Sequence, residues 1–189
     1  RNFSQPLWLG TEDIAGKTII LHAEQGLGDT IQFCRYAKLV KALGARVILE
    51  VPKALLGLLS GLEGVDELIE EGNALPAFDY HCPLLSLPLA FKTDLTNIPS
   101  PKPYLAATHQ KCEEWAQRLG VKGKPRVGLA WSGSTVHIND NNRSLTLKQL
   151  LPHLPDCCEY VVLQKEVREV DLQVLEGSGI SHYGQELKD

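Results

Sequence analysis

The stretch LHAEQGLGDTIQFCRY, residues 21–36, holds the side chains best placed to do chemistry. An apolar run ends in a loop carrying Glu24, Gln25, Gly26 and Gly28, and Asp29 follows where a helical pattern opens. Asp29 could accept a proton from a hydroxyl whose oxygen attacks an electrophilic carbon, and for a general base position counts first. The same carboxylate could cap the helix, since Asp is a preferred capping residue worth about 1 kcal/mol. A helix N-terminus fixes such a group but also weakens it as a free base. The residues alone support both roles, and Glu24 reads equally well as a solvated carboxylate at a strand end. Gly26 and Gly28 let backbone approach a ligand without a Cβ in the way. The first amides of the helix favour an anion or a polar hydroxyl.

Such a loop must be positioned by a sheet. KTIILH, 17–22, and ARVILEVP, 45–52, are β-branched apolar runs of the kind buried on both faces. Between them residues 29–43 carry apolar positions at helical spacing, stopped by Gly44. KALLGLLSGL reads as a short helix, VDELIEEG as a third strand and FDYHCPL as a fourth. Strands alternating with helices predict a parallel sheet with crossover helices, and in an open parallel sheet ligands bind beyond the carboxyl ends of the strands. TDLTNIPSPKPYL, with three prolines, marks a boundary between packed units, and HQKCEEWAQRLG a helix closed by Gly120. The pattern then restarts: RVGLAW as a strand, SGSTVHINDNNRS as a polar loop, LTLKQLLPHL as a helix, EYVVLQ as a strand and KEVREVDLQVLEGSG as a helix, with a third short strand at 180–183.

The fold expected is therefore α/β: an N-terminal Rossmann-like domain over 1–107, a linker helix over 108–124, and the first part of a second Rossmann-like domain over 125–189. Two or three parallel strands bury little surface for an independent domain. With no methionine and an opening RNFSQP, the chain is expected to be a piece of a longer protein. An apolar face left open on the second unit would then favour dimerisation.

Three motif-like stretches fail on spacing or on a missing residue. GTEDIAGKT places five residues between its glycines where a phosphate-binding P-loop has four, and it precedes the first strand. GLGDTI has Ile31 where the third glycine of a dinucleotide fingerprint belongs. HINDNNRS lacks the glycine and the closing glutamate of a calcium loop. Five cysteines without a CxxC pair read as reduced, mostly buried thiols of a cytoplasmic protein, with no metal site and no cofactor expected; a redox role is the sharper alternative. A net charge of −4 with scattered Lys and Arg gives no footprint for nucleic acid. No apolar run approaches the roughly 20 residues of a membrane span.

Taken in order, LHAEQGLGDTIQFCRY, FDYHCPLLSLPLAF, PYL, RVGLAWSGS and HINDNNRSL resemble the glycosyltransferase portion of bacterial tetratricopeptide-repeat proteins, which is related to the heptosyltransferases of glycosyltransferase family nine. The resemblance implies a GT-B architecture of two Rossmann-like domains, acceptor mainly on the first and nucleotide-sugar donor mainly on the second. It also implies inverting, metal-independent transfer to a hydroxyl acceptor. The Gly-Asp motif of heptosyltransferases, whose Asp is regarded as the base, falls on Gly28 and Asp29, with Glu24, Gln25 and Gly26 in the acceptor-side loop. Ser132, Gly133, Ser134 and Arg143 fall on the donor side, where Arg143 could grip a diphosphate in bidentate fashion. A pairing of Arg143 with Asp140 inside the loop is equally open. His137 reads as a loop histidine and Trp131 as a core ring, with ring stacking as its sharper role. Relatives continue into an Asp-[Ser/Thr]-x-x-x-His motif that this chain does not reach, so it is expected to be inactive alone. Protein partners would engage upstream repeats absent from this chain. A Rossmann-like scaffold that binds a nucleotide, a sugar or a protein without turnover is the alternative.

Overall fold

A computed structural model describes residues 3–100 and 103–187, and it divides into two compact units meeting in sequence at Thr108 and His109. Arg1, Asn2, Pro101, Lys102, Lys188 and Asp189 lie outside the described residues, and with them parts of the opening, the proline-rich stretch and the C-terminal YGQELKD.

In the first unit β1 (Thr18–His22) leads through a loop into α1 (Leu27–Phe33), a 3-10 turn at Cys34–Tyr36 and α2 (Ala37–Ala42). β2 (Arg46–Val51), α3 (Leu56–Leu59), β3 (Glu67–Glu70), β4 (Tyr80–Pro83) and α4 (Leu87–Ala90) follow. The strands form one sheet in the order β3-β2-β1-β4, with every pairing parallel. The chain winds outward from β1 and returns to its other side, so strand order reverses between β1 and β4. That is the kind of switch point where open α/β sheets bind ligands.

Alternation sets the two faces. Ile19 and Leu21 point with Val47, Leu49 and Cys82 into a core closed by Cys34, Ala37, Val40, Leu59 and Leu87. Ile20 points the other way with Ile48 and Ile69, covered by Leu75 and Phe78. Full burial of each such Ile or Leu stabilises the unit by about 1.5–3 kcal/mol, which is why these runs become interior strands.

The expected single helix over 29–43 is corrected in two respects. It starts earlier, at Leu27, because Gly26 takes an extended conformation (φ −65°, ψ 165°) and serves as the cap itself. It is also interrupted by the 3-10 turn that buries Cys34 and Tyr36. Its end is as expected: Gly44 has φ +85°, the left-handed conformation glycine supplies after a helix. Gly64, at φ +90°, lies so close to α2 that a Cβ there would meet the Lys38 Cα at 2.5 Å and its nitrogen at 2.6 Å. Backbone cannot step aside as a side-chain tip can. Gly64→Ala is therefore expected to destabilise the first unit by about 1–3 kcal/mol; an unchanged urea midpoint would contradict this packing.

The second unit holds α5 (His109–Leu119), β5 (Arg126–Leu129), α6 (Leu147–Leu150), β6 (Glu159–Val162), α7 (Glu169–Ser178) and β7 (Ser181–His182). Its three parallel strands run in the order β5-β6-β7. Leu129, Trp131, Leu147, Val162 and Leu175 make the core of one face. On α5, Trp115 meets Tyr183 edge-on at 5.4 Å and Arg118 pairs with Glu186, while Arg126 Nη2 donates to the Leu119 carbonyl. An apolar cavity of about 210 Å³ lies among Trp115, Leu119, Val161 and Tyr183 and presents no converging polar groups. Leu163 and Val127 are substantially exposed.

Only Cys34 and Cys82 are fully buried, and burial pushes their thiols up to about 11 and about 12. Cys112 and Cys157 are exposed and Cys158 is half-buried, so the expectation of mostly buried thiols holds for two of the five. Cys157 and Cys158 precede β6 in a turn, where no core covers them. Among the described residues no helix is long and apolar enough to cross a membrane, and no group of three or more His, Cys, Asp or Glu could hold a metal ion.

Candidate active site

The loop after β1 begins as an extension of the sheet, with the Ala23 N–H donating to the Glu50 carbonyl. Glu24, Gln25, Gly26, Leu27 and Gly28 are then all exposed. Asp29 is the third residue of α1, not its cap. Its Oδ2 reaches back to accept the Gly26 N–H at 3.1 Å, the carboxylate half of a capping box. Oδ1 has no hydrogen-bond partner among the described residues, and the side chain is half-buried. Of the two roles left open by sequence, one oxygen performs the helix-end contact and orients the group, while the other makes no hydrogen bond among the described residues. Thr30, buried behind it, anchors the turn through Oγ to the Gly26 carbonyl. Tyr104 donates to the Ile31 carbonyl at 3.0 Å, and Arg35 lies over the Tyr104 ring while donating to Pro99.

Beside this loop stand residues that sequence reading did not single out. His22 ends β1, with Glu50 as its register partner on β2. His81 is on β4, and its Nδ1 lies 3.3 Å from His22 Nε2. Phe3 packs on both rings, with centroids 5.1 Å from His22 and 4.6 Å from His81. Burial keeps the His81 ring below the usual histidine range. Strand alternation in KTIILH and DYHCP could have exposed the pair, since Leu21 and Cys82 share one face and His22 and His81 the other.

In the second unit, the loop after β5 carries Ser132, Gly133, Ser134 and Arg143 together. Gln164, from the end of β6, is buried; its Oε1 accepts the N–H groups of Trp131 and Ser132 at 2.7 and 2.9 Å, and its amide donates to Ser132 Oγ. The Gly133 N–H is taken by Ser144 Oγ at 3.0 Å. The amides of Ser132 and Gly133 are therefore consumed inside the protein, whereas Ser134 and Arg143 are exposed. Arg143 lies over Gly133, where an added Cβ would come within 2.5 Å of Nη2.

The intraloop ion pair foreseen for Arg143 is loose, at 3.8 Å from Asp140 Oδ1. Asp140 is held instead by Arg168 at 2.5 Å. The Ser144 hydroxyl first, against the cost of desolvation, and then the Arg168 guanidinium keep the Asp140 carboxyl below its usual range. Trp131 is a core ring, 4% exposed, and its Nε1 donates to Asp171 Oδ2 at 2.8 Å. Asp171 Oδ1 accepts the Leu147 N–H, so one buried carboxyl group ties the segment after β5 to α6 and α7. His137 is an exposed loop histidine whose Nδ1 accepts the Asn139 N–H.

No family model matches the chain, and no curated protein matches it significantly. A solved structure does: the glycosyl transferase family 9 protein from Veillonella parvula DSM 2008, with a TM-score of 0.60 at 11% sequence identity. The match covers 88% of this chain and 67% of the other. The chain shares that transferase's fold. The likeness accords with the two parallel α/β sheets and with the Rossmann-like architecture expected from sequence. At this identity it speaks for backbone arrangement, and the roles of individual side chains rest on their geometry here.

Proposed function

We propose that the chain carries machinery of an inverting, metal-independent glycosyltransferase, moving a sugar from a nucleotide-sugar donor to a hydroxyl acceptor. The observation that carries this reading is the divided carboxylate of Asp29, anchored through one oxygen in the loop beyond β1 while the other makes no hydrogen bond among the described residues. The fold shared with a family 9 transferase supports it. In this reading the acceptor hydroxyl gives its proton to Asp29 Oδ1 as its oxygen bonds to the anomeric carbon. The bond from that carbon to the diphosphate breaks on the opposite side, inverting the configuration. The nucleoside diphosphate leaves with the electron pair; within the second unit, the Arg143 guanidinium and the Ser134 hydroxyl are the groups suited to bind a diphosphate. Glu24, Gln25, Gly26 and Gly28 line the acceptor side, and Ser132 and Gly133 shape the donor loop.

The test is to incubate the full-length protein that carries this chain with a panel of nucleotide sugars and follow nucleoside diphosphate release. Release that requires the protein is expected. A nucleotide sugar that binds in calorimetry but is never consumed would overturn the transferase reading in favour of a non-catalytic binding module.

A further inference from the structure

One guanidinium holds the donor-side loop from outside. Arg168, in the segment entering α7, places Nη2 3.0 Å from the Gly133 carbonyl, 2.5 Å from Asp140 Oδ2 and 3.2 Å from Ser144 Oγ. Ser144 Oγ in turn accepts the Gly133 N–H and donates to Asp140 Oδ1 at 2.7 Å. The two ends of the loop are thereby stapled, and both oxygens of Asp140 are engaged. Arg143 Nε stays 3.8 Å from that carboxylate, with its side chain 42% exposed and its guanidinium over the Cβ-free surface of Gly133.

From this arrangement we infer that Arg168 is a positioning residue for Arg143: by occupying Asp140 it keeps that carboxylate from drawing the neighbouring guanidinium in beyond a loose 3.8 Å pairing, so that Arg143 can grip a diphosphate. The inference rests on the reading of this loop as the diphosphate site. Asp140 stands three positions from Arg143, close enough that loss of Arg168 would leave Arg143 as the nearest cation to an unneutralised carboxylate. A charge-assisted hydrogen bond would then fold Arg143 back onto the loop. Gly133 serves the same end from below, since a side chain there would push the guanidinium away.

The experiment is calorimetric titration with inorganic pyrophosphate, a probe free of base and sugar. Arg143→Gln should abolish binding, and Arg168→Gln should weaken it about tenfold or more, the scale of one charge-assisted contact. The decisive variant is the pair Arg168→Gln with Asp140→Asn, which removes the competing carboxylate as well. It is expected to bind within about threefold of the parent, a rescue that a merely structural role for Arg168 would not produce. Parent-like binding by Arg168→Gln, or a double variant as weak as that single one, would overturn the inference while leaving the diphosphate reading intact. Should Arg168→Gln alone fail to fold, the double variant decides, and tenfold weaker binding by it counts against the inference. Undiminished pyrophosphate binding by Arg143→Gln, or none by the parent, would instead remove the diphosphate reading and this inference with it.

Discussion

Replacing Asp29 by Asn is expected to lower sugar transfer by about 10²–10⁴-fold, the usual contribution of a positioned general base, while the fold survives. The amide oxygen of Asn can still accept the Gly26 N–H, so the orienting contact to the helix entry is kept. What is lost is the basicity of the second oxygen. Asp29→Ala removes both functions and should also cost the first unit about 0.5–2 kcal/mol, the range of a lost helix-end contact. The two variants therefore separate chemistry from capping. If Asn transferred sugar at the parental rate with an unchanged unfolding midpoint, Asp29 would be a structural residue and the proposed mechanism would lose its base.

The second large effect is expected in stability. Asp171→Ala should strip acceptors from two buried donors, Trp131 Nε1 and the Leu147 N–H, each at a cost of about 1–3 kcal/mol when left unsatisfied. The second unit has a small core, and a loss on that scale is a large share of the stability ordinary domains possess. Its unfolding should move to much lower urea, reported by Trp131 losing its buried environment. The first unit, whose buried tryptophan is Trp8, should unfold as before. Asn at 171 keeps one acceptor and should cost about half as much. A variant whose Trp131 signal melts with the parent's midpoint would show that Asp171 is not the tie the geometry describes.

The sequence was most legible where apolar runs are dense. Strands at 18–22, 46–51, 67–70 and 80–83 stand close to where the β-branched and alternating stretches placed them, and Gly44, Gly120 and Gly179 close helices in the left-handed conformation. The start of α1 departs from local preference: Asp is a better capping residue than Gly, which points to 29. The chain instead uses Gly26 as the cap and lets Asp29 bond backward. Nothing local marks the 3-10 turn at 34–36, which has neither glycine nor proline.

The candidate site was legible in its loops and illegible in what secures them. Gln164, Arg168 and Asp171 reach the 131–146 loop from 24 to 40 residues away, and no period or spacing announces such contacts. Arg143 was readable as a cation in a polar loop. That its apparent partner belongs to Arg168 could be learned only from three dimensions.

The order of the first sheet has a bearing on motion. β1 is bonded on both flanks, to β2 and to β4, as β2 is to β1 and β3, so the amides of these two strands should be among the last of the unit to exchange with deuterated solvent. Asp29 hangs from the end of β1 by a short tether. Arg143 sits on a polar loop whose fastening is made of side chains. Amides at the foot of the Asp29 loop, Ala23 among them, are therefore expected to exchange more slowly than those of the 132–146 loop.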